Sequence, residues 1–433
     1  MSHMTLQNLT DQTSNTGALV KTTNVFLSLF AVSTLISQTA MDFFSALFVF
    51  GVLILAARDS RYRAWVLRRT GLEWFAGLWF GATLLSLLWN TDRVPDLQWM
   101  KLLDFRWLLV AVAAGRHLSF IRVSEYTIRA HFVPYVLACL WAISIFFLKY
   151  DPLQPGAVLD AFPDGTVRTG GFLQQAIVFA QLYGLWLMIP IGILIQDLPR
   201  FEALRSSGPR GTIWMGAVIF GSLAILLSFT RGVWMAVPIA SVVILSLRRW
   251  TWALVGALLG LVSVVGLMLS WPALNDRILQ AFQGGDTERL WIWRANWEMW
   301  KDSPLFGVGY NQNVQLLTEY YAKVEAPPGL LVSHAHNQFL HILTGTGVFG
   351  MLAYAGFWIF SLIGGFRLYR NLSPKQKFAR GMTLGVIGAI CVFLFGGAFE
   401  SNFEHAKMRL TLALVLGLLV ALRDGLQFGE PKK

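Results

Sequence analysis

About twelve stretches of roughly 17 to 25 predominantly apolar residues run through this 433-residue chain, and no other feature constrains its fold as strongly. A helix of about 20 residues crosses about 30 Å of hydrocarbon, and inside lipid a helix can satisfy every one of its own backbone groups. The spans read approximately as 22–38, 43–57, 72–89, 99–115, 130–148, 172–195, 211–228, 232–247, 251–270, 338–366, 382–398 and 408–424. The chain is 55% hydrophobic and 14% charged, whereas roughly a quarter of a soluble domain is charged, so the apolar excess belongs to lipid contact. The expected fold is an all-α polytopic membrane protein of about 12 transmembrane helices. Its expected divisions are an N-terminal tail (1–21), helices 1–9 (22–270), a loop module (271–337), helices 10–12 (338–424) and a C-terminal tail (425–433). The first residues, MSHM, read as a cloning scar, and no cleavable signal peptide precedes the first span.

The net charge of +11 raises the question of nucleic acid, and the placement of the charges answers it. Arg58, Arg61, Arg63, Arg68 and Arg69 fall in one connection, Arg116 and Arg122 two spans later, then Arg200, Arg205 and Arg210, and then Arg248 and Arg249. Arg367, Arg370, Lys375, Lys377 and Arg380 continue the series at the same parity. That is the positive-inside pattern of cytoplasmic loops, with both termini cytoplasmic, and it leaves no role for nucleic acid. Cys139 and Cys391 each lie within an apolar span and read as small core hydrophobes.

Two of the outward connections are long, about 149–171 and 271–337. The second contains a readable helix in GGDTERLWIWRANWEMWKDSPLFGVG: Asp286 or Thr287 can cap it, and Pro304 and Gly307 end it. Trp293, Trp297 and Trp300 recur there at helical spacing, as interfacial anchors or as a surface for stacking sugars.

Basic residues on the outward side stand out against the positive-inside pattern. Arg231, in LLSFTRGVWMA, occupies a short turn between two apolar spans, where an arginine either snorkels to the interface or meets an anion. Arg168 follows PDGTV just before a span, Arg289 stands in the first turn of the outer helix, and Arg294 lies one turn further on. Near a helix N-terminus the dipole disfavours a cation, so Arg289 beside free amide groups reads as an anion site or else as a solvated side chain. Lys101 and Arg106 flank Asp104, which would pair with one of them. With no Gly-rich nucleotide loop present, a cluster of outward arginines suits a diphosphate presented from the membrane, because guanidinium binds phosphate oxygens in pairs and keeps its charge.

Three of the seven histidines crowd into LVSHAHNQFLH, residues 331–341. His336 and His341 are five apart, which does not share a helix face, His334 precedes the helix, and no Asp or Glu is expected near enough to complete a shell, so no metal is expected. Of the other outward carboxylates, Glu400 and Glu404 show no convincing partner spacing. His117 and His131 read as solvated or interfacial, and His405 as structural or peripheral to a site. One of the three clustered histidines can serve as a general base, or can merely support the helix start; chemistry alone does not choose.

SFTRG between two spans, then ERLWIWRANWEMWKDSPLFGVGYN, then HNQFLHILTGTGVFG entering a span, resembles the O-antigen ligase and polymerase superfamily of bacterial membrane glycosyltransferases, over about residues 168–366. The size, span count and absence of a large soluble domain resemble the O-antigen ligase, and with it the GT-C class of lipid-phosphate-sugar glycosyltransferases. The resemblance implies an undecaprenyl-diphosphate-linked polysaccharide donor, a lipid A-core acceptor, membrane lipids as surroundings, a periplasmic active site in the inner membrane, and neither metal nor other cofactor. It matches His336 to the family's catalytic histidine, followed by Asn337, and Arg231 and Arg289 to its arginines. GGFLQQAIVFA departs from the family's commoner Pro-Asn at Gln174 and Gln175. The implied chemistry is a metal-independent inverting displacement. His336 is the base, Arg231 and Arg289 with Arg168 and Arg294 bind diphosphate, and Asn337 and Gln175 orient substrate. The neighbouring readings are an O-antigen polymerase or protein O-oligosaccharyltransferase; a lipid or polysaccharide transporter would instead place charged groups deep within the spans.

Overall fold

The computed structural model describes residues 14–92, 99–121, 123, 125–156, 158–162, 165–197, 209–270, 275–276, 279, 287–330 and 332–425. Among them the regular structure is helical: α1 Ser14–Ser33, α2 Gln38–Arg58, α3 Ser60–Val66, α4 Leu72–Trp89, α5 Arg106–Phe120, α6 Glu125–Leu148, α7 Ala176–Asp197, α8 Pro209–Leu227, α9 Arg231–Arg248 and α10 Trp250–Ser270. Then come α11 Thr287–Asp302, α12 Asn313–Lys323, α13 Gln338–Asn371, α14 Lys377–Gly397 and α15 Ala406–Arg423. Each expected span overlaps one helix, and eight helices among the described residues are long and apolar enough to cross a membrane. The protein is therefore an all-α polytopic membrane protein. The sequence reading ran the first span too far: α1 stops at Ser33, and Ser37 caps α2 by accepting from the Ala40 amide. It also began the fourth too early, because residues 100–105 form a 3₁₀ turn before α5.

Of these eight, α7 and α14 are the most enclosed. Their backbones meet at Gly192, Gly381 and Gly385, where any Cβ would collide with the facing main chain. In lipid there is no hydrophobic drive between helices, so such close approach supplies the packing that holds them. Other helices turn large side chains to the lipid, among them Phe43, Phe50 and Leu53 on α2 and Leu258 and Leu261 on α10.

The connection after α10 feeds a small module of α11 and α12 with a core of its own, formed by Ile292, Ala295, Met299, Val308, Leu317, Tyr320 and Tyr321. Residues 303–309 leave this module and lie against α13, whose helical path is interrupted at Gly347 (φ 66°, ψ −168°). There the Val308 and Gly309 amides donate to the carbonyls of Thr344 and Gly345 at 3.0 and 3.1 Å, and the Val348 amide donates to Pro304 at 2.9 Å. Ser86 of α4 also donates to Gly345 at 2.6 Å, and Asn90 donates to Gly307 at 3.0 Å. An interrupted helix at membrane depth is tolerated only where protein replaces its lost bonds, and the 303–309 segment does so.

At the opposite, arginine-rich end, Arg116 pairs with Asp424 and donates to the carbonyls of Arg68 and Arg69. His117, expected to be solvated or interfacial, is fully buried there and hydrogen-bonded with Tyr62 at 2.8 Å. Cys139 and Cys391 are buried free thiols, as expected of core hydrophobes.

Gly347 has positive φ, and its Cβ would strike the Leu305 carbonyl, whereas Gly364 on the same helix has nothing within 4 Å. Gly347→Ala is expected to lower the thermal unfolding midpoint of the purified protein, at a cost of at least about 1–2 kcal/mol. Gly364→Ala should leave the midpoint unchanged or raise it slightly.

Candidate active site

Five chain segments converge at one end of the bundle: the loop before α7, the turn before α9, the start of α11, and the loops on either side of the α13–α14 pair. Phe399, just beyond α14, meets two of them directly. A Cβ on Gly232 would lie 3.0 Å from that of Phe399, so α9 begins directly against it. Arg289, in the first turn of α11, donates through Nη1 to the Phe399 carbonyl at 3.0 Å.

The next residue, Glu400, is buried and surrounded by cations and donors. His336 Nδ1 lies 2.9 Å from its Oε1 and 3.2 Å from its Oε2, and the Ser401 amide donates to Oε1 at 3.1 Å. His334 Nδ1 is 3.4 Å from Oε1, and Arg289 Nη2 is 3.9 Å from Oε2. Burial pushes the Glu400 carboxyl up, but the His336 hydrogen bond and the charges of His334, His336 and Arg289 hold it below the usual carboxylate range. Burial holds His334 below the usual imidazole range, partly opposed by Glu400.

His336 itself is 23% exposed and has a left-handed backbone, φ 47°. A non-glycine residue held there is strained, and the surroundings must enforce it. Trp293 of α11 helps by donating to the Ala335 carbonyl at 2.8 Å, and Asn337 caps α13 by accepting from the Leu340 amide at 3.0 Å. Asn337 thus spends its carbonyl oxygen on the helix start; its amide nitrogen is what remains for orienting a substrate. On the outer ring edge, the Ser333 hydroxyl is 3.3 Å from His336 Nε2.

A second histidine–carboxylate pair lies deeper. His341 pairs with Glu404 and lies 2.7 Å from Asn311 Oδ1 through Nε2, while Asn313 donates to its Nδ1 at 2.8 Å. Asn313 also donates to Asn296 Oδ1 at 2.9 Å, which ties α11, α12, α13 and the loop before α15 into one buried network. Burial raises the Glu404 carboxyl, but the charge and hydrogen bond of His341 bring it down to about 2. With its folded pKa depressed, Glu404 contributes stability above the ordinary carboxylate range, and that contribution is lost as pH falls toward about 2.

Arg409, in the first turn of α15, closes the loop. It donates to the carbonyls of Phe403 and Glu404, each at 2.9 Å, and to Asp104 at 2.7 Å. The expected local pairing of Asp104 with Lys101 or Arg106 is therefore corrected, since Arg106 pairs with Asp42 at 2.8 Å.

Of the expected phosphate-binding arginines, Arg231 and Arg289 both flank Phe399, one through its neighbour Gly232 and the other directly. Arg168 is near enough to Arg231 for their charges to oppose each other. It is engaged with Asp160 at 3.2 Å and with the Ser228 carbonyl at 3.3 Å. Arg294 lies on the exposed face of α11, stacked over Trp291 at 4.7 Å. Gln175 is exposed just before α7, and the Thr230 hydroxyl bonds the adjoining Ala176 carbonyl at 3.3 Å, so it lies beside the Arg231 turn. Asp286, a candidate cap for α11, lies outside the described residues; the helix begins at Thr287.

Sequence reasoning missed Glu400, Glu404 and Arg409. The expectation that no carboxylate lies near the histidines is overturned, because Glu400 reaches His336 from 64 positions away. A faint signal existed: in FESNFEH the two glutamates are four apart, on the same expected side of the membrane as two histidines five apart. His334, His336 and Glu400 bring donor atoms within 4.8 Å of one another, which is close enough to consider a cation. The 2.9 Å from His336 to Glu400 is the length of a hydrogen bond, however, whereas two ligands on one tetrahedral ion at about 2.1 Å each stand about 3.4 Å apart.

Residues 216–355 match the family described as O-antigen ligase. The stretch runs from within α8 to within α13 and includes Arg231, Arg289, Arg294, His336 and Asn337, while Arg168, Gln175 and Glu400 lie outside it. The teichuronic acid biosynthesis protein TuaE of Bacillus subtilis (strain 168) is 25% identical, in an alignment covering 90% of this chain and 82% of that protein. Together these matches support a polysaccharide ligase or polymerase type of function.

Asn313→Ala would leave His341 Nδ1 and Asn296 Oδ1 without their buried donor. The expected cost is about 1–3 kcal/mol, read as a lower unfolding midpoint and as faster protease cleavage between α10 and α13.

Proposed function

We propose that this protein is a glycosyltransferase that moves a polysaccharide from undecaprenyl diphosphate to an outer sugar of lipid A-core, with its site at the periplasmic face of a bacterial inner membrane and both termini cytoplasmic. The observation that carries this reading is the carboxylate-held, partly exposed His336 beside Arg289, whose Glu400 partner is one residue from the Phe399 contact that also receives the Arg231 turn. An imidazole whose Nδ1 hydrogen is occupied by a carboxylate offers Nε2 as an acceptor of protons.

In the proposed reaction, the acceptor hydroxyl oxygen attacks C1 of the donor's first sugar from the face opposite the diphosphate. Its proton passes to His336 as the C1–oxygen bond to the phosphate breaks, and the diphosphate leaves with the bonding electron pair. Arg231 and Arg289 bind the charge that grows on it, with Arg168 lending a third positive charge behind Arg231. Electrostatic stabilisation of this kind is worth several kcal/mol in a partly dry site. The anomeric centre inverts. A diphosphate leaving group needs little protonation, so a single base suffices, and the hydrogen-bond spacing of His336 and Glu400 favours acid–base chemistry without a metal. Asn337 and Gln175 border the entrance and would orient the sugars, with Arg294 contacting the donor further along α11.

The relative's name concerns teichuronic acid biosynthesis, and it favours a second reading in which the acceptor is another glycan chain and the enzyme a polymerase. A reaction of the purified protein with lipid A-core and undecaprenyl-diphosphate-linked glycan separates the two, since label on lipid A-core marks a ligase and an elongated donor a polymerase. In whichever reaction is observed, His336→Ala is expected to lower turnover by about 10²–10⁴-fold with the protein still folded. Arg289→Gln or Arg231→Gln should raise the KM for donor, and a chelator should leave the rate unchanged. Normal turnover by the His336 variant would remove it as the base, and a rate lost to the chelator and restored by one metal would require a metal mechanism.

A further inference from the structure

We infer that Glu400 is the positioning residue of the site: its carboxylate holds His336 with the proton on Nδ1, so that Nε2 is the base, and it shares that hold with Arg289 until the donor's diphosphate draws the arginine away. This rests on the proposed role of His336 as base, and it extends the site to a residue outside the stretch that matches the family.

The geometry is that of a carboxylate with two claimants. Both Glu400 oxygens lie within 3.2 Å of His336 Nδ1, and the Ser401 amide fixes the carboxylate from behind. A buried carboxylate accepts and does not donate, so the hydrogen between the pair resides on Nδ1 and the lone pair on Nε2. Nε2 is the nitrogen on the Ser333 side, and the ring is the partly exposed member of the pair. Arg289 reaches the same carboxylate at 3.9 Å, a longer contact than its 3.0 Å bond to the Phe399 carbonyl. A diphosphate carrying two negative charges competes well for a guanidinium held to the carboxylate by so long a contact. Once Arg289 turns to the donor, the carboxylate charge is left to the imidazolium that forms as the acceptor loses its proton.

The charged and titratable groups facing Glu400 are Arg289 from α11 and His334 and His336 from the segment before α13. His405, on its own loop, is also electrostatically coupled to it, and Glu404 on that loop is taken by His341. The signs follow. Glu400 favours protonated His336 and Arg289 opposes it, so neutralising one or the other moves the acid limb of the pH–rate profile in opposite directions.

The test combines Glu400→Gln, Arg289→Gln and His336→Ala, assayed for turnover and donor KM across pH. Glu400→Gln is expected to lower kcat by about 10–100-fold, a fraction of what loss of a general base costs. It should leave donor KM unchanged or lower and shift the acid limb to lower pH. Arg289→Gln should raise donor KM and shift the limb to higher pH. Adding Glu400→Gln to His336→Ala should cost nothing further. If Glu400→Gln slows the His336→Ala protein by the same factor as the wild type, or raises donor KM with the limb unmoved, Glu400 merely supports the loop and the inference fails. A fully active His336→Ala protein would instead sink the base assignment itself. Should Glu400→Gln not fold, Glu400→Asp keeps the charge and must keep the limb. ¹⁵N spectra of the wild-type histidine rings must also show the His336 hydrogen on Nδ1; a hydrogen on Nε2 at neutral pH overturns the inference.

Discussion

The interruption of α13 is the constraint on which the rest of the structure depends. Between Thr344 and Gly347 the helix gives up its own hydrogen bonds, and residues 304–309 return them from outside. The exchange forces two glycines: Gly307, whose Cβ would strike Thr344 and Gly345, and Gly347, whose Cβ would strike Leu305. By clamping the far end of α11 to the membrane bundle, it fixes where the near end lies. Arg289 and Trp293 are carried on that helix, one onto Phe399 and the other onto Ala335. The placement of an arginine and the curvature of the histidine loop thus follow from one local repair of backbone hydrogen bonding.

A second principle organises the site. Positive φ values outside glycine gather around it, at Phe229 before the Arg231 turn, at Asn311 against His341, and at His336. Strained backbone persists where the surroundings over-determine it. Here the surroundings are two histidine–carboxylate pairs and the Arg409 clamp, which bind the loop between α14 and α15 from both sides. The loop's rigidity therefore comes from charge and hydrogen bonding, while the bundle below it is held by apolar packing.

Much of the fold was legible because lipid simplifies the code. Bilayer thickness sets the length of an apolar run, so each expected span found its helix, and the errors were at ends such as 34–38 and 100–105, where turn chemistry decides. The outer helix was legible from Pro304 and its Trp spacing. What could not be read were pairings across the fold. Glu400 meets His336 because α13 runs into the bundle and α14 returns to the same corner, and neither spacing nor hydrophobic period encodes that return. Asp104 gave a wrong local pairing for the same reason, since its partner Arg409 is 305 positions away. Arg231 and Arg289 stood out in the sequence because basic residues break the positive-inside pattern; Glu400 did not, because a glutamate on the expected outward side breaks no rule.

The module of α11 and α12 has a core distinct from that of the bundle, centred on Ile292, Met299, Leu317 and Tyr320. Ile292 and Met299 face that core from α11, the helix whose Arg289 and Trp293 bond to the Phe399 and Ala335 carbonyls. Trp297 and Arg294 stand on the exposed rim of the module, and neither takes part in the His336–Glu400 contact. An architecture divided this way lets substitutions on the module's exposed rim change what that rim meets while the histidine–carboxylate contact keeps its place.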